Sequence, residues 1–124
     1  MNIISTSKAP AAIGPYSQAI MVGDILYTSG QIPVNPETGN VDGATITEQA
    51  EQVMKNLEAV LSEAGMTFDN VVKTTCFLSD MKNFAAFNEV YAKYFTSKPA
   101  RSCVAVLEIP KGVLCEVECV AYKK

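Results

Sequence analysis

Apolar residues recur at three- and four-residue steps through Ile46, Ala50, Val53, Met54, Leu57, Val60, Leu61 and Ala64, which predicts an amphipathic helix. Thr45 and Glu48 form a Thr-x-x-Glu capping box at its start, and Gly65 stands where a left-handed C-terminal cap belongs. Its other face, Glu48, Glu51, Lys55, Glu58 and Glu63, reads as plain solvated surface with no partner helix. A second helix is expected from Phe84 to Thr96, with Asn83 as N-cap, a core-facing stripe of Phe84, Phe87, Tyr91, Tyr94 and Phe95, and Asn88 beside the stripe.

The remaining pattern is that of strands. Ser17 to Val22 and Ile25 to Ser29 flank Gly23-Asp24, a two-residue loop suited to a type II′ hairpin. Val71 to Leu78 is rich in β-branched residues and apolar on both faces, with Val72, Cys76 and Leu78 on one and Val71 and Phe77 on the other, as expected of a strand covered on two sides. Ser102 to Glu108 and Leu114 to Tyr122 are the last two strands. Residues 1–15, broken by Pro10 and Gly14-Pro15, read as an irregular lead-in, and Pro33 to Gly39 reads as loop. The order β-β-α-β-α-β-β predicts an α+β fold, a single domain over residues 1–124 in which two helices pack on one face of a mixed sheet. The other sheet face is left bare, and other copies of the chain are expected to cover it.

Composition narrows the partners. A formal charge of -3 without a dense basic run weighs against nucleic acid as the main partner. No apolar run approaches the roughly 18 residues of a membrane span, and no secretory leader is visible, so a cytoplasmic protein is expected. The four cysteines, 76, 103, 115 and 119, lack close C-x-x-C spacing and read as buried free thiols. Histidine is absent, which removes Ser/His and Cys/His nucleophile pairs.

The candidate chemistry lies in Pro99 to Glu118. Pro99 should stop the second helix and push Lys98 out of helical geometry, leaving Arg101 at a strand entrance as a carboxylate clamp or, more blandly, a surface ion-pair partner. Glu116 and Glu118 follow on one face of the last strand.

Four blocks carry a resemblance: Ala11-Ala12-Ile13-Gly14-Pro15-Tyr16-Ser17-Gln18-Ala19, Thr28-Ser29-Gly30-Gln31-Ile32-Pro33, Val72-Lys73-Thr74-Thr75 and Pro99-Ala100-Arg101-Ser102-Cys103. They resemble the signature blocks of the Rid (reactive intermediate deaminase) family, closest to its RidA branch, formerly YjgF. The resemblance implies a chorismate-mutase-like fold, a homotrimer with sites at or near subunit interfaces, no cofactor, and hydrolysis of enamines and 2-imino acids such as 2-aminoacrylate to 2-keto acids and ammonia. It further implies that Arg101 grips the substrate carboxylate, that Glu116 serves the attacking water, and that Tyr16, Ser29, Gly30, Asn88 and Cys103 line the pocket. Thr96-Ser97-Lys98 is shorter than the corresponding segment of many relatives, which bears on side-chain preference.

The planar guanidinium of Arg101 can donate two parallel hydrogen bonds to a carboxylate, and partial burial of Glu116 would raise its pKa toward a range useful for proton transfer. Tyr16 could hydrogen-bond the substrate nitrogen or the water, or act only as an aromatic anchor. Cys103 has no base near it in the motif and reads as pocket wall. Were the last two strands hairpin partners about Lys111, Glu116 would face Val106, some 16 Å along the strand from Arg101. Either the strands are not partners or neighbouring chains complete the pocket. A keto-acid-binding or chaperone-like trimer and an endoribonuclease stand as the rival readings.

Overall fold

The computed structural model describes all 124 residues. The hairpin forms first in the chain's logic: β2 (Ala19–Val22) and β3 (Ile25–Thr28) pair antiparallel across Gly23-Asp24. Gly23 has φ 57° while Asp24 keeps a negative φ, the combination a type II′ turn requires.

The lead-in is not wholly irregular. Asn2–Ile4 forms β1 and pairs antiparallel with β2. A three-residue strand has no period to read, and this one forms because the outer edge of β2 is otherwise open. The Gln18 side chain then staples the following segment, accepting from Thr6 N–H at 2.7 Å and donating to the carbonyls of Thr6 and Pro10 at 3.0 and 2.7 Å.

Helix α1 (Ile46–Glu63) begins with the expected capping box and ends before Gly65, at φ 75°. Val53, Met54, Leu57, Val60 and Leu61 are completely buried, each stabilising the fold by about 1.5–3 kcal/mol through apolar burial. Its acidic face is not plain surface, contrary to expectation. Glu51 accepts a 2.7 Å hydrogen bond from the Tyr94 hydroxyl and pairs with Lys93 at 2.6 Å, both on the second helix. Charge spacing on one helix cannot announce a partner contributed by another.

Strand β4 (Val71–Leu78) follows. A bulge between Val71 and Lys73 shifts the register, so Val71, Thr74, Cys76 and Leu78 face the helices while Val72 is half exposed. The alternation counted from the sequence assigned Val71 and Val72 to the wrong faces because a bulge reverses parity. Helix α2 (Phe84–Tyr94) ends short of Thr96. Asn83 makes no side-chain cap; a short 3₁₀ turn precedes α2, and Asp80 caps that turn by accepting from Lys82 N–H at 2.9 Å. Phe87, Tyr91 and Phe95 are buried in the core, as the stripe predicted.

Strand β5 runs Ala100–Ala105 and β6 runs Cys115–Tyr122, giving the sheet order β1-β2-β3-β6-β4-β5. The last two strands are not hairpin partners. β4 and β5 are parallel, joined by the α2 crossover that parallel pairing needs, and β6 inserts antiparallel between β3 and β4. The result is the expected α+β, chorismate-mutase-like arrangement with a sixth strand added. The core lies between the helices and Cys76, Leu78, Cys115, Val117, Cys119 and Ala121 of the sheet. The opposite face presents Ile25, Tyr27, Val104 and Tyr122 to solvent. Neither helix is long and apolar enough to cross a membrane.

Candidate functional site

Lys98 does leave right-handed helical geometry before Pro99, but into the left-handed region at φ 57°. The chain turns there and enters β5, where Arg101 pairs in register with Thr74 of β4. Partners in a parallel ladder share a face, so Arg101 points to the helix side. Its guanidinium carbon lies 4.7 Å from the Tyr91 ring centroid and 5.5 Å from that of Phe84. Nη1 donates to Asn88 Oδ1 at 2.7 Å. Tyr91 is itself fixed by a 2.7 Å hydrogen bond between its hydroxyl and Thr74 Oγ1.

The chain's ion pairs are Lys82–Asp80 and Lys93–Glu51, so no carboxylate neutralises Arg101. The surface ion-pair reading is therefore set aside. Two aromatic faces and a neutral amide orient the guanidinium while leaving its charge unspent. Arg101, Asn88, Tyr91, Phe95, Lys98 and Pro99 border a cavity of 530 Å³.

Cys103 lies two residues further along the same face, in register with Cys76. Cys103 is only half-buried, unlike the other three free thiols. Burial raises its pKa while Arg101 opposes the rise, and burial pushes Cys76, Cys115 and Cys119 up to about 12. None is a ready thiolate, and Cys103 is not among the residues that border the Arg101 cavity.

Glu116 occupies the other side of the sheet. It pairs in register with Phe77 and is half-buried beside Gly30, where an added Cβ would lie 2.8 Å from the Glu116 Cδ. Glycine is required for that approach. Burial raises the Glu116 pKa above the ordinary glutamate value, and the negative charge of Glu118, exposed two residues on, raises it further. The Gly30 N–H makes no hydrogen bond within the chain. Next to it, Gln31 and Val117 exchange backbone hydrogen bonds of 2.8 and 3.1 Å, tying this turn to β6.

Tyr16 and Gly30 line a 230 Å³ cavity with Gln31 and Lys111. Tyr16 is half exposed, and its N–H donates to Gly14 O at 2.8 Å, a tight turn that sets the ring over the loop. Ser29 donates through Oγ to Ser17 O at 2.6 Å and through its N–H to Gln18 O at 2.8 Å, so both its donors already hold the loop.

Two clusters thus form: Arg101, Asn88 and Cys103 on the helix side, and Tyr16, Ser29, Gly30 and Glu116 on the open side. Glu116 lies three rows from Arg101 and two strands away, roughly 10 Å along and about 10 Å across, on the opposite face. One small substrate cannot touch both within a chain.

Two supporting residues escaped the sequence reading. Asn56 is fully buried in α1 and donates to the carbonyls of Ile32 and Val34, both at 3.0 Å, fixing the loop after Gly30. Its only signal is a polar residue interrupting the apolar stripe. Thr74, which anchors Tyr91, stands inside the Val72-Lys73-Thr74-Thr75 block, but its spacing does not mark it as a partner of the second helix. No three Cys, Asp or Glu side chains gather within reach of one metal ion.

Residues 6–123 match the family described as Endoribonuclease L-PSP. The chain is 51% identical over 124 residues to a RutC family protein of Pyrococcus abyssi, covering 99% of this chain and 98% of that one. Among solved structures, the Rid family protein YyfA of Yersinia pestis superposes with a TM-score of 0.95 at 50% identity, covering 98% of each chain. The structure of E. coli TdcF with bound serine gives 0.96 at 41% identity, covering 100% of each. With the match spanning nearly every residue and both site clusters, the chain belongs to the Rid (YjgF/RidA/RutC) family.

Proposed function

We propose that this protein is a hydrolytic deaminase of 2-aminoacrylate and related 2-imino acids, giving 2-keto acids and ammonia. The observation that carries the reading is Arg101: a guanidinium oriented by Tyr91, Phe84 and Asn88, with no protein carboxylate to neutralise it. Such a group is prepared for a ligand's carboxylate, and serine, which TdcF binds, carries one. The acidic charge and absent histidines favour this chemistry over the ribonuclease name carried by the family.

In the reaction, the 2-aminoacrylate enamine first takes a proton at C3 and becomes the imine. Arg101 holds the carboxylate, and a water held by Glu116 adds to the C2 carbon. Glu116 accepts a water proton and returns it to nitrogen; the new C2 hydroxyl then gives its proton to solvent, balancing the one taken at C3, as the C2–N bond breaks, ammonia leaves and the keto group forms. A carboxyl with a raised pKa is matched to both halves of that transfer. In this reading the Gly30 N–H, which has no partner within the chain, donates to substrate oxygen, and Tyr16 closes the mouth. Imines hydrolyse unaided in water, so positioning and one activated water suffice, without a cofactor.

The site is completed in a cytoplasmic homotrimer, the Arg101 cluster of one copy meeting the Glu116 cluster of the next. This reading is supported by the exposed apolar face around Tyr27 and Tyr122 and by the separation of the clusters within one chain. The test is keto-acid release when a pyridoxal-phosphate-dependent dehydratase generates 2-aminoacrylate from serine. Acceleration by this protein is expected; an unchanged rate, with keto acids still bound, would leave a binding module in its place.

A further inference from the structure

The connection from α2 to β5 is short, and Lys98 shapes it. Its N–H donates to Phe95 O at 3.2 Å, and its φ of 57° lets the chain reverse within four residues of the helix end at Tyr94. That conformation is doubly disfavoured: a side chain rarely occupies it, and a following proline steers its predecessor toward extended geometry. Strain of this kind persists where the surroundings over-determine it and clusters at ligand sites. Here it sets Lys98 at the border of the cavity that holds Arg101.

The charge in that cavity is one-sided. Lys98 and Arg101 are cations, none of the other lining residues is acidic, and neither cation has a carboxylate partner in the chain. A 2-imino monocarboxylate would satisfy Arg101 and leave Lys98 unmatched. The cavity, at 530 Å³, also lies in the range that takes ligands well beyond a three-carbon acid.

We propose that the site takes 2-imino dicarboxylates of four or five carbons, Arg101 binding the carboxylate beside the C=N carbon and Lys98 the distal one. The inference rests on the deaminase reading for its reaction, in which both carboxylates are spectators while water replaces nitrogen at C2. The division of labour follows from the side chains. Arg101 fixes orientation through its planar fork, whereas the flexible ammonium of Lys98 accepts a distal anion over a range of distances.

The test measures calorimetric binding of two stable product-like probes, 2-oxoglutarate and 2-oxobutanoate, to the wild type, Lys98→Met and Lys98→Arg. Wild type is expected to bind 2-oxoglutarate about tenfold more tightly than 2-oxobutanoate. Lys98→Met should reduce that ratio to near one, Lys98→Arg should retain most of it, and the preference should shrink with added salt. Equal binding of both probes by wild type, or a ratio untouched by Lys98→Met, overturns the proposal. Because binding is read without turnover, the two readings fail separately. A wild type that hydrolyses imines but shows no diacid preference removes only the Lys98 proposal, and a diacid preference without hydrolysis removes only the deaminase.

Discussion

Arg101 and Glu116 stand on opposite faces of one sheet, three rows and two strands apart. Each is the chemical centre of its own cluster, and each cluster lacks what the other holds: a fixed cation without a proton acceptor, and a raised carboxyl without an anion clamp. If the two work on one substrate, the nearest way to unite them is a second copy of the chain.

Subunit complementation follows directly. Arg101→Ala and Glu116→Gln should each be inactive as homogeneous proteins, but subunits mixed, dissociated and reassembled should regain about a quarter of wild-type activity, the fraction of interfaces that pair two intact clusters. Recovery no greater than the sum of the separate mutants would place the whole site within one chain.

Arg101→Lys should keep the fold and lose function. It exchanges a planar fork stacked on Tyr91 for a point charge, costing about 2–3 kcal/mol, or roughly thirty- to a hundred and fiftyfold in kcat/KM. Keto-acid release under limiting imine reads this, with Tm as the control.

Glu116→Gln should lower kcat by about a hundredfold with little change in KM. Its effect on stability has the opposite sign. The folded Glu116 pKa lies above the ordinary 4.5, so the folded state holds this proton more tightly than the unfolded chain. Stability from this group is therefore full below that ordinary value and is lost as pH rises through the raised one. Above it, Glu116→Gln should match or exceed the wild-type Tm. Glu118→Gln should lower the Glu116 pKa and move the acid limb of the kcat profile to lower pH.

Gly30→Ala tests the packing of the open-face cluster. Gly30 does not have a positive φ, so alanine is tolerated by the backbone, but its methyl displaces the Glu116 carboxyl. Activity should fall at least about tenfold, and the loss should be strongly non-additive with Glu116→Gln in a double-mutant cycle. Additive losses would mean that Gly30 acts independently of the carboxylate.

The local elements of this chain were legible in its residues because their causes are local. The Thr45–Glu48 box, the apolar stripe of α1 and Gly23 before Asp24 each act over a few positions and needed no knowledge of the rest. The signature blocks around Tyr16, Gly30 and Arg101 likewise named the family from order alone. Tertiary structure decided the remainder. Strand order is set by which edges are left unpaired, so β6 entered between β3 and β4 instead of folding back on β5. One bulge reversed the faces of Val71 and Val72, and Glu51 found Lys93 and Tyr94 across a helix contact that no spacing encodes. Above all, the stretch from Pro99 to Glu118 reads as one arginine and carboxylate motif, yet Arg101 and Glu116 diverge. Alternation along a strand tells which residues share its own face. Which way that face turns, and what meets it, depends on the strands and chains packed beside it.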